Sequence, residues 1–165
     1  MKQRLAQIAE SEVKMNYHGN TDAAISNLQP LADLFEEVDG MTLDTLNADW
    51  SGAFAFLCVQ KAGFGLPLAY PDPRVGESFA SVAAWERYAR LPKIRLWHPA
   101  GEEPEVGDLA ILEAPIGKPP RMGIVLRVNG TEMELAVGNY GNHSALISHP
   151  CYERVRGFVR LREDL

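Results

Sequence analysis

Cysteine, long apolar runs and positive charge are scarce in this sequence, and each shortage closes off a class of protein. Two cysteines among 165 residues are too few for a disulfide framework. Cys58 falls inside an apolar run and reads as a small core residue, while Cys151 stands beside Pro150 in an expected loop. No stretch approaches the roughly 18 consecutive apolar residues of a membrane-spanning helix, so no span is expected. A net charge of −6 disfavours a nucleic-acid backbone as partner. No second ligand type stands at metal-site spacing from His18, and neither a metal nor another cofactor is expected. The opening residues, Met1 to Leu5, lack the apolar centre of a secretory signal. A cytoplasmic product is therefore the default expectation, although export by another route leaves no such mark. Repeats and low-complexity segments are absent as well.

What the chain does have is apolar content. At 46% hydrophobic it can fill one well-packed domain, here taken as residues 1–165 with an N-terminal helical extension (1–48) and a core (49–165). The centre of that core is Asp49-Trp50-Ser51-Gly52-Ala53-Phe54, backed by Ala55-Phe56-Leu57-Cys58-Val59. Asp49 or Ser51 can cap a helix there, and Gly63 can end it in the left-handed conformation. Apolar all round, this helix should be buried, with a hydroxyl at its positive end.

The rest of the chain arranges itself around that helix. Residues 2–15 predict a first amphipathic helix, with Leu5, Ile8, Ala9, Val13 and Met15 near one face. A second helical stretch is predicted from Asp22, restarting at Pro30 and running through Ile25, Leu28, Leu31, Leu34, Phe35 and Val38 to Gly40. Residues 41–48 read as a linker. Pro67, Pro71 and Pro73 make 64–76 a loop or lid-like connection, and Ser78 or Ser81 opens another helix through Trp85 and Tyr88 to Leu91. From Pro104 the periodicity changes from helix to strand. Asn129-Gly130 predicts a two-residue type I′ hairpin turn, pairing Leu126 with Met133, Ile124 with Leu135 and Met122 with Val137. That register places all six on one face, with Arg121, Gly123, Val125 and Arg127 on the other. Further strands are expected near 144–148 and 154–162. In the last, Arg154, Arg156, Arg160 and Arg162 share a face, either solvated or open to an acidic ligand. Helices first and strands later predict an α+β fold with an antiparallel sheet of about five strands.

Five landmarks occur in order: Trp50-Ser51-Gly52-Ala53-Phe54, Gly107-Asp108, Gly123-Ile124-Val125, Gly138-Asn139-Tyr140-Gly141-Asn142 and Arg154-Val155-Arg156-Gly157-Phe158. Together they resemble the papain-like cysteine amidases and peptidases of the CHAP and NlpC type, most of which cut peptidoglycan. The resemblance runs from about Trp50 to Leu161. It implies a papain-like arrangement in which the central helix carries the nucleophile. Where the nearest branch opens that helix Trp-Cys-Ala-Ala-Phe, this chain has Ser51 in place of the cysteine. The family's histidine, two residues before the glycine of Gly-Ile-Val, falls at Arg121, and its third polar residue at Asn139. The family geometry needs residue 121 to face the helix carrying Ser51. Trp85 fits the place of an aromatic facing the groove, against the plainer reading of a core tryptophan.

Serine needs a base within about 3 Å, and neither a guanidinium nor the neighbouring Met122 thioether is one. The expected function is therefore that of a degenerate member without hydrolase chemistry, so no enzyme activity is expected. Its groove, bordered by Trp50, Ser51, Arg121, Asn139, Tyr140 and Trp85, would bind a peptide-like or muropeptide ligand or a protein partner. Two alternatives stand beside it. One is an active peptidoglycan amidase or endopeptidase using Ser51 with another base, for which His143, His98 and His149 are the candidates. The other is a structural or regulatory domain whose groove is filled.

Overall fold

The computed structural model describes residues 1–38, 41–68 and 72–165. Among them five α-helices precede a six-stranded antiparallel sheet, an α+β architecture with one more strand than expected. The helices are α1 (Lys2–Val13), α2 (Gln29–Ala32), α3 (Leu43–Ala48), α4 (Ser51–Ala62) and α5 (Val82–Ala89). The strands are β1 (Trp97–Pro99), β2 (Leu109–Leu112), β3 (Arg121–Asn129), β4 (Glu132–Tyr140), β5 (His143–Pro150) and β6 (Val155–Val159), ordered β1-β6-β2-β3-β4-β5 across the sheet. The extra strand is the short edge piece β1, which pairs with β6.

The central helix α4 runs from Ser51 and stops at Gly63, whose φ of 96° satisfies the left-handed cap. Ten of its residues are buried, because it packs on the sheet and against α1, which lies on the same strands. It meets β3 and β4, and α1 packs beside it, itself touching β3, β4 and β5. Leu5, Ala9 and Val13 of α1 join Phe54 and Phe56 in one core, so the N-terminal helix is built into the same apolar interior as the strands. Met15 falls outside it, exposed beyond the end of α1.

The second helical stretch needs correction. Residues 22–28 are irregular, Ile25 is exposed, and helix begins only at Gln29 with Pro30 in its first turn. Asp22 does not start it, because the segment instead folds back on itself: Asn27 accepts from the His18 backbone, and Asn20 from that of Ser26. The expected end at Gly40 lies outside the described residues. Residues 41–48 are not a plain linker, since Thr42 accepts from the Thr45 N–H and caps α3. Ser81 rather than Ser78 precedes α5, which stops at Ala89 instead of Leu91.

The hairpin forms where predicted, but its register differs. Gly130, not Asn129, takes the positive φ. The turn residues are therefore Gly130-Thr131, and Asn129 pairs with Glu132. One positive φ at the first turn position is the type II′ pattern. A register shift between Val125 and Arg127 then changes the count again. As a result Met122, Ile124 and Leu126 face the helices, with Ala136 opposite, while Met133, Leu135 and Val137 face away with Val125. A slip of one residue moves a whole strand's side chains to the other face, which is what separates the two halves of the predicted set.

Those outward residues are buried too. Val125, Met133, Leu135, Val137, Ala110, Leu112, Val155, Phe158 and Cys151 form a second core supplied by the strands and the β5–β6 connection. The four arginines expected on one face of the last strand are dispersed by the irregularity at Arg156 and Gly157, where the pairing with β2 shifts. Arg156 meets Glu86, Arg162 meets Asp164, and Arg160 turns in to buried Asp108 at 2.8 Å. That last pair fixes the Gly107-Asp108 landmark as a structural one: Asp108 also accepts from the Glu105 N–H at 2.8 Å.

Candidate functional site

Ser51 stands at the first position of α4 and is fully buried, as is Trp50 before it. Its hydroxyl donates to Asp49 Oδ1 at 3.3 Å and accepts from the Met122 N–H at 3.3 Å. Asp49 Oδ1 also accepts from the Ser51 N–H at 3.4 Å, so Asp49 supplies the acceptor that the helix opening needs. Burial pushes the Asp49 carboxyl above its ordinary value. Hydrogen bonds from Ser51 and Asn139 and the more distant charge of Arg121 pull the other way. No histidine hydrogen-bonds to Ser51 among the described residues. His143 stands beside His18 with ring centroids 6.0 Å apart, His98 is bonded to Glu102 at 2.6 Å, and His149 Nδ1–H donates to Pro150 O at 2.8 Å.

The turn at 78–81 is seated on the helix opening, where a β-carbon added to Gly52 would lie 2.6 Å from Ala80 O. Trp85 locks that turn from behind, donating its indole N–H to Phe79 O at 2.8 Å while fully buried beside Phe56 and Phe79. Trp85 is thus a core tryptophan and borders no groove. The Trp50 indole N–H is buried without an acceptor among the described residues.

Across the sheet the strand alternation separates Arg121 from Met122. Met122 is fully buried on the helix side, in the first core. Arg121 is exposed, lies over the Tyr140 ring at 5.5 Å, and lines a cavity with Leu112 and Val137 of the second core. The family's requirement that residue 121 face the helix is therefore not met here. Asn139 takes a φ of 57° at the register shift between Val137 and Tyr140, and its amide is near enough to Asp49 to lower that carboxyl's proton affinity. Of the expected groove residues, Ser51 and Asn139 converge on Asp49, Arg121 and Tyr140 are reachable from solvent, and Trp50 and Trp85 are not. Asp49 was missed as a member of this cluster, although its place two residues before Ser51 was in plain view as a capping position.

The class this defines is an α+β domain with a serine–aspartate–asparagine cluster at the opening of its central helix, the serine buried and the other two half-buried. No family model, curated protein or solved structure matches the chain. Among the described residues no helix is long and apolar enough to cross a membrane, and no group of three or more metal-ligating side chains occurs.

Proposed function

We propose that this chain is a papain-like domain of the CHAP/NlpC type that has lost hydrolase chemistry and works as a binding module for a peptide-like ligand or protein partner. The observation that carries this reading is the state of Ser51. The residue at the family's nucleophile position has no solvent exposure, and its hydroxyl is held between a carboxylate and a backbone N–H. With no imidazole in reach, nothing supplies the proton relay on which acyl transfer to a serine depends. The surface left for binding is the solvent-reachable one at Arg121 and Tyr140, with Asn139 between it and Asp49.

One observation favours a second reading, a serine-dependent amidase. Asp49 is a carboxylate in contact with the Ser51 hydroxyl, and burial raises its proton affinity. Burial of Ser51 weighs against it, since a substrate carbonyl must reach the nucleophile at about 3 Å. Muropeptide digestion followed by mass spectrometry separates the two. We expect no cleavage by the wild type and no change in Ser51→Ala. Cleavage by the wild type that disappears in Ser51→Ala would establish the amidase.

A further inference from the structure

On the face of the sheet away from the helices, the second core opens to solvent through a cavity of about 220 Å³. Its apolar wall is Leu112, Val137 and Ile147, and its polar rim includes Arg121, Arg154 and Tyr140. We propose that this cavity is a carboxylate-binding site that takes the terminal residue of an acidic ligand, with the carboxylate on the two arginines and an apolar side chain against the wall. The proposal rests on the binding reading above and adds the ligand's chemistry to it.

The first argument is charge. Arginines elsewhere in the chain are mostly neutralised: Arg160 by Asp108 and Glu105, Arg127 by Glu10 and Glu134, Arg156 by Glu86. Arg121 and Arg154 have no carboxylate partner among the described residues, although the chain carries a net charge of −6. Two guanidinium groups left free on one cavity are poised for planar, bidentate recognition.

The second argument is position. Arg121 is steadied against the Tyr140 ring. Arg154 has a φ of 53°, and its carbonyl accepts from the Glu113 N–H at 2.8 Å, tying the β5–β6 connection to the end of β2. The backbone therefore delivers both residues to the same rim from opposite sides.

Glu113 and size select the kind of anion. Glu113 and His149 also line the cavity, and with histidine counted neutral at pH 7 one carboxylate against two guanidiniums leaves a single positive charge. That balance suits a monoanion and disfavours a phosphate dianion. Pockets for drug-sized ligands run to roughly 300–1,000 Å³, so this smaller cavity accommodates one residue's end rather than a whole folded ligand. A free carboxylic acid and the C-terminus of a peptide share this chemistry.

The test is titration of the full chain, followed by amide and methyl NMR, with N-acetyl-leucine, N-acetyl-leucinamide, an acetylated tripeptide ending in free leucine, and inorganic phosphate. Saturable shifts at Leu112, Val137 and Ile147 are expected with both acids and not with the amide. Tighter binding of the tripeptide identifies a peptide C-terminus as the source, and tighter binding of N-acetyl-leucine a free acid. Arg121→Gln and Arg154→Gln, both at exposed positions, should each weaken binding at least tenfold while signals of the helical core stay in place. Equal binding of acid and amide, stronger binding of phosphate, no saturable shift, or unchanged affinity in both variants overturns the site. Muropeptide cleavage by the wild type would refute the inactive-domain reading and leave this titration to stand or fall by itself.

Discussion

Asp49 carries more of this molecule's behaviour than its place in the sequence announces. Its carboxylate closes the opening of α4 and receives the Ser51 hydroxyl in a largely dehydrated setting. Because its folded proton affinity is raised, the folded state binds a proton that the unfolded chain releases. Stability from this group is therefore greatest below the unfolded carboxylate value and falls as pH rises through the folded one. Asp49→Asn keeps an acceptor for the Ser51 N–H and has no charge to bury. We expect its stability relative to wild type to improve as pH rises above the ordinary carboxylate value of about 4 and to level off once Asp49 is ionised in the fold. Urea denaturation across that range measures it, and a constant difference would mean that Asp49 ionises in the fold as readily as in the open chain.

At the scale of elements, what could be read from the sequence ends where strands stop being regular. The 3.6-residue pattern located α1, a continuous apolar run behind capping residues located α4, and Gly63 marked the end of α4 correctly, because periodicity and caps are local. The strands near 122–137 and 144–148 were also legible. Their faces were not, since a bulge adds one residue to one strand only and nothing local in Leu126, Asn139 or Arg156 marks it. Those irregularities shape the site: one brings Asn139 to Asp49, while plain alternation along β3 already sets Met122 toward α4 and Arg121 on the other face. The buried place of Met122 survives the changed register, because the residue precedes the shift in β3. Met122→Ala leaves a void between β3 and the helices and should cost about 2–5 kcal/mol. Chemical denaturation of the variant checks this, and a loss under about half a kcal/mol would place the side chain in solvent.

For the molecule as a whole, the sheet is the shared wall of two apolar interiors. The sequence pattern foretold one, since an alternating strand normally has a wet face; the second arises from the strands and Cys151. Strands β2 and β3 lie mid-sheet with both faces covered, whereas β5 is an edge with exposed Leu146 and Ser148. Local opening should follow that order. Amides of Ile111 and Ile124 are expected to exchange with deuterium last, and those of Leu146 and Ser148 orders of magnitude sooner. Comparable protection across β2 and β5 would mean that the edge is covered in solution.

The contact between Gly52 and Ala80 bears on history as well as shape. A hydrolase silenced by one nucleophile substitution can be revived by reverting it. On the reading proposed here that route is shut. Restoring a cysteine at 51 would leave it buried next to a turn that Gly52 lets settle onto the helix, and a histidine restored at 121 would start from the face of β3 opposite Met122. Regaining chemistry would require lifting the turn, moving the register of β3 and replacing two side chains, none of them useful alone. On that reading, single substitutions at 51 or 121 are each expected to leave the protein inactive.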